Sequence, residues 1–210
     1  MSRTSASNTD LRCSCGKCLA KDGGIQCPDR ECRKITKFRE EPARRAAQAL
    51  AAYVVCAVKS GGEIPVSLSV KATEHFLGRV SFDSVSMTIG ESESKLTALA
   101  AQLLVEQQLG DVASGTVMCL QSTALRFLCD RGKIPLYREC GLDSRLSPAD
   151  AKTCSRAVFE LIGQHMAKAE TLLSQTVDKR NELVELVCAK GELIDAELEQ
   201  FFKEKGLTSN

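Results

Sequence analysis

Residues 43–59 read ARRAAQALAAYVVCAVK, and this stretch decides what kind of fold the chain adopts. Apolar side chains recur at Ala47, Leu50, Ala51, Val54 and Val55, the three-and-four spacing of one helix face. Pro42 suits the first turn of that helix, where the N–H it lacks has no partner to lose. Ser60-Gly61-Gly62 ends the pattern. Two short alternating runs follow, PVSLSV over 65–70 and LGRVSF over 77–82, and both predict strands of a small sheet.

Everything beyond reads as helix. Leu96, Leu99, Leu103 and Leu104 form one apolar stripe, closed by Gly110. Val117, Leu120, Ala124, Phe127 and Leu128 form another, closed by Gly132. Ser147-Pro148-Ala149-Asp150 combines a cap, a first-turn proline and an early acid, so a helix starts there. It carries Val158, Leu161, Ile162, Met166, Ala169, Leu172 and Leu173. A shorter helix holds Leu183, Val184, Leu186 and Val187, and a last one, capped by Asp195, holds Leu198, Phe201 and Phe202. The expected fold is mainly α with a small β-sheet, an α+β arrangement, over residues 42–210.

Toward the N-terminus the composition changes. Residues 1–10 are polar, with nothing to bury, and predict a disordered tail. Residues 11–41 hold Cys13, Cys15, Cys18, Cys27 and Cys32, five of the eleven cysteines of the chain. Two close cysteine groups across a short glycine-containing span are what a tetrahedral metal needs, and four thiolates leave no open coordination place. A small ribbon with one structural Zn2+ per chain is expected. Cys15 and Cys18 have the usual spacing; Cys27 and Cys32 are wider, and Cys13 with Cys18 would match them. The segment LRCSCGKCLAK…CPDRECRKITKF is similar to the short zinc ribbons of Mu-like phage translational activators.

Charge is also uneven. Residues 1–45 carry eleven Lys/Arg against six Asp/Glu, an excess of five, although the whole chain is only +1. Arg30, Arg33, Lys34, Lys37 and Arg39 concentrate that excess and are the candidate phosphate contacts. No tryptophan and 4% aromatic residues argue against a base-stacking platform. No apolar run approaches the ~20 residues of a membrane span, and the N-terminus has no apolar signal core. An odd cysteine count without a secretory signal predicts reduced thiols in the cytoplasm.

The order of the C-terminal elements carries a resemblance. GDVASGTVMCLQSTA, over 110–124, resembles the "DVTTGASNDLERATE" segment of the FtsH-type membrane-anchored AAA zinc proteases (peptidase family M41). The stripe over 96–110 looks like their "LLAGRAAEELVFG" helix. The tail DKRNELVELV followed by GELIDAEL is similar to their "NRDKLEALAEALLEKETLDGEEI" ending. The resemblance covers roughly residues 43–207 and implies a peptidase-like helical domain behind the ribbon. Its chemistry is absent. With Tyr53 matching the tyrosine of "HAVVAY", Arg44, Arg45 and Gln48 stand where the family has His, Glu and His, and Cys119 stands at its aspartate ligand. The chain has only His75 and His165, so no H-E-x-x-H can be written. There is no G-x-x-x-x-G-K-[ST] and hence no expectation of ATP.

The other reactive groups have plainer readings. Cys119 could be a nucleophile or substitute ligand, but a small buried thiol on an apolar helix is commoner. Cys56, Cys129, Cys140, Cys154 and Cys188 read as packing, His165 as a satisfied core residue and His75 as a loop residue. Glu91, Glu93, Asp143 and Asp150 read as acidic loop or cap positions. The expected function is a catalytically inactive binding protein with a protein or nucleic-acid partner and no membrane. The alternatives are a zinc-ribbon nucleic-acid regulator and an ATP-independent metallopeptidase with a non-standard site.

Overall fold

The computed structural model describes residues 37–71, 78–83, 89–110, 112–133 and 148–207. Within them the chain forms six helices and a three-stranded sheet. Helix α1 is Lys37–Lys59, followed by strands β1 (Ser67–Ser69) and β2 (Arg79–Ser81). Helices α2 (Ile89–Leu109), α3 (Ser114–Asp130), α4 (Pro148–Gln175) and α5 (Val177–Lys190) come next, then β3 (Glu192–Ile194) and α6 (Asp195–Glu204). No helix among the described residues is long and apolar enough to cross a membrane.

Helix α1 is the hub. One face gives Ala47, Val54, Val55 and Val58 to a core shared with Leu68, Leu183, Val187, Leu193 and Phe202. An adjacent face gives Ala52 and Cys56 to Ala100, Ala101 and Val105 of α2 and to Ala169 and Leu173 of α4. The small side chains let these helices approach closely, which is why an alanine-rich segment can be central. A third cluster joins Leu96, Leu99 and Leu103 of α2 to Leu120, Ala124 and Phe127 of α3, with Val158, Leu161 and Ile162 of α4 against it.

The expected start of α1 at Pro42 moves to Lys37, ahead of the boundary between ribbon and domain read at 41/42. Pro42 lies inside the helix, so α1 lacks one hydrogen-bonded rung there. The C-terminus closes as the sequence predicts. Gly61 takes a positive φ of 84°, and the Gly62 N–H returns to the Ala57 carbonyl at 2.9 Å. A side chain at Gly62 would meet Ser94 Oγ at 2.7 Å and the Ala57 carbonyl at 2.9 Å, so the approach of α2 requires glycine there.

Strands β1 and β2 pair antiparallel as expected, with Leu68 opposite Val80. The third strand is unannounced by the sequence: β3 adds to the other edge of β1, placing Leu193 opposite Leu68. This changes the reading of Asp195. Its N–H donates to the Val66 carbonyl at 2.8 Å and it is the first residue of α6 rather than its cap. The Glu197 carboxylate accepts from the Ile194 N–H at 3.3 Å instead, and also from Lys190. Those two donors, Lys190 first, hold its pKa below the usual carboxylate value.

The tail over 1–10, the five ribbon cysteines, Arg30, Arg33, Lys34, His75, Cys140 and Asp143 lie outside the described residues. Lys37 and Arg39 fall in the first turn of α1.

Candidate functional site

Two of the positions that the resemblance singles out, Arg44 and Gln48, lie one turn apart on α1. Arg44 is exposed and turns to α5, where Nη1 donates to Glu185 Oε2 at 3.4 Å and Nη2 donates to Oε1. The hydrogen bond and charge of Glu185 raise the guanidinium pKa further. Water screens a pair this open, so it orients the side chain more than it stabilises the fold. Cys188, one turn from Glu185, is half-buried; burial pushes its thiol pKa up, with Arg44 opposing.

Gln48 faces a cavity of about 120 Å³ between α1, α2 and α5. Val105, Gln108 and Leu109 of α2 and Arg180, Asn181 and Val184 of α5 complete its wall. Arg180 is the least conventional group here. It occupies the same stripe as Val184 and Val187, a register otherwise apolar. Its Nη2 donates to the Leu173 carbonyl at 3.0 Å, capping the end of α4, while its Nε–H has no acceptor among the described residues. Burial lowers its pKa, with a smaller opposing effect from Cys56. Cys56 is itself pushed up to about 12 by burial, with Arg180 opposing, and is therefore a neutral thiol.

Cys119 is not in that wall. The expected buried thiol is exposed, because α3 turns Leu120, Ala124, Leu125, Phe127 and Leu128 inward and leaves Met118 and Cys119 outside. It lies instead near Tyr53, whose phenol is pushed up to about 12 by burial first and the Cys119 charge second. Tyr53 packs edge-on to Phe82, with ring centroids 6.1 Å apart. Arg44 and Gln48 thus share the α5 side of α1, while Cys119 belongs to the Tyr53 side. Arg45 is half-buried on the turn between them.

His165 is 8% exposed and its Nδ1 lies 2.9 Å from Thr97 Oγ1, the satisfied core role expected of it. Glu93, expected in an acidic loop or cap, is a turn inside α2 and pairs with Arg131 at 3.0 Å. Among the described residues no group of three His, Cys, Asp or Glu side chains could hold a metal ion.

Sequence reasoning missed two groups. Arg180 is one. Glu106 is the other: it is buried at the end of α2 and collects the start of α3. Its Oε1 accepts from Gln102 and from Thr116, each at 2.8 Å, and its Oε2 accepts from the Ala113 N–H at 3.1 Å. The legible signal for both was a charge in an apolar stripe: Glu106 follows Leu99 and Leu103, and Arg180 precedes Val184 and Val187. No protein-family model matches the chain, and no curated protein does.

Proposed function

We propose that the chain is a non-catalytic binding protein built like the peptidase domain of FtsH-type proteases, with a structural zinc ribbon in front. The observation that carries this reading is the setting of Arg44. Where the family has its first histidine ligand, a permanent cation is turned onto Glu185. A zinc peptidase needs about three ligands, an open place for water and a general base. Two arginines, an amide and a distant thiol are a poor substitute, and the cations would repel a dication.

The ribbon part of the proposal rests on donor chemistry. Four of Cys13, Cys15, Cys18, Cys27 and Cys32 would hold Zn2+ in a closed thiolate site that shapes the segment and does no catalysis. The five described cysteines are free thiols, which suits a reducing cytoplasm. No ATP and no membrane enter this reading. The partner is a protein, or, in the second reading, nucleic acid held by the basic excess of residues 1–45.

Degradation of an unfolded protein substrate by the full chain, with added zinc and with chelator, tests the proposal. No turnover is expected in either. Chelator-sensitive cleavage that Cys119→Ala abolishes, and that survives Cys27→Ser with Cys32→Ser, would install the metallopeptidase reading instead.

A further inference from the structure

We infer that the cavity between α1, α2 and α5 is a binding site for a small oxyanion, anchored by Arg180. The inference is independent of the protease resemblance and of the ribbon.

The first ground is an unbalanced charge. Arginine stays protonated in any protein environment, and a guanidinium taken from water needs acceptors or a countercharge. Arg180 has one recorded acceptor, the Leu173 carbonyl, and its buried Nε–H has none among the described residues. Among the described residues no carboxylate shifts its pKa; the one ionisable neighbour that does is the Cys56 thiol. Arg44 and Lys205, by contrast, each have a carboxylate partner on α5, Glu185 and Glu182.

The second ground is the cavity itself. At about 120 Å³ it exceeds the ~10–15 Å³ that holds one water and has room for a compact anion. Its polar wall is made of Gln48, Gln108 and Asn181, whose amides can each present an NH2 donor, and among the described residues it contains no acid. Val105, Leu109 and Val184 make the remainder apolar. One cation and three adaptable amides, with no competing carboxylate among the described residues, select a carboxylate or a phosphate-type ion over a neutral or cationic ligand.

The test is calorimetric titration of the full chain, with Tm read in parallel, using inorganic phosphate and acetate separately at ionic strength held constant with potassium chloride. Saturable binding and a rise in Tm are expected from at least one of the two, and none from chloride alone. Preference for phosphate would identify a tetrahedral ion, and preference for acetate a carboxylate; either supports the site. Arg180→Gln should weaken binding about tenfold or more, as expected for loss of a charge-assisted contact. Because Arg180 also caps α4, Gln48→Leu is the second variant: it leaves the Leu173 contact in place and should weaken binding with unchanged helical signal. No saturable response to either anion overturns the proposal. So does binding that Gln48→Leu and Arg180→Gln both leave at wild-type strength.

Discussion

Thr97 of α2 and His165 of α4 meet inside the protein, with 2.9 Å between the hydroxyl oxygen and Nδ1. The same hydroxyl donates to the Glu93 carbonyl at 3.1 Å. A hydroxyl has one hydrogen to give, so its oxygen must accept from His165, and Nδ1 carries the imidazole proton. This bond ties the long helix α4 to α2 in the core, beyond what apolar contact alone would fix.

Acid should therefore weaken the fold. Burial, then Lys168, holds the His165 pKa below 6.5, with Glu93 opposing. The unfolded chain binds a proton on this side chain before the folded one does. The stability it confers is complete above about 6.5 and is lost as pH falls through the lower folded value. Urea midpoints measured across this range should fall with acidification, and His165→Phe should flatten that dependence. An unchanged slope in the variant would mean that other groups dominate.

Thr97→Val keeps the side-chain shape and removes the acceptor. The buried Nδ1–H is then orphaned, at a cost of about 1–3 kcal/mol. Chemical denaturation should show a lower midpoint with an unchanged m-value. A loss below a few tenths of a kcal/mol would indicate that the imidazole finds another acceptor.

Glu106→Ala should cost more than a surface change, about 2–3 kcal/mol, because it leaves Gln102, Thr116 and the Ala113 N–H without their shared acceptor. The damage should centre on the α2–α3 junction. Hydrogen exchange ought to show faster opening at the start of α3, with α5 and α6 little affected. Uniform acceleration across the chain would argue against a local role.

Purified protein should hold about one zinc, as a closed thiolate ribbon requires. Cys27→Ser with Cys32→Ser should release it while most far-ultraviolet helical signal remains, because the core clusters of the described residues draw on Ala47 and the residues after it. Retention of the full metal content would mean that the ligands lie elsewhere.

If the basic segment contacts nucleic acid, binding should weaken steeply with salt. Arg33→Ala with Lys34→Ala should reduce the log–log salt slope by about two, one counterion per phosphate contact. Absence of low-salt binding to either DNA or RNA would leave the ribbon as a protein contact.

Local chemistry made much of this fold legible from the chain itself. Gly110 and Gly132 each take a positive φ at a helix end, and Pro148 opens α4, because these residues act on their own backbone. The periodic stripes likewise named the buried faces of α1, α2 and α3. Local pattern could not announce β3. Three residues are too few to show a period, and Glu192–Ile194 becomes a strand only by pairing with Ser67–Ser69, far away in the chain. The same holds for the sites. Sequence excluded an H-E-x-x-H pair, since two histidines ninety residues apart cannot share a helix turn. Only the packing of helices decided that Cys119 faces out beside Tyr53, that Gln48 meets Arg180 across a cavity, and that Glu106 gathers the start of α3. Those outcomes depend on the rotation of one helix against another, a property of the assembled core that no segment carries alone.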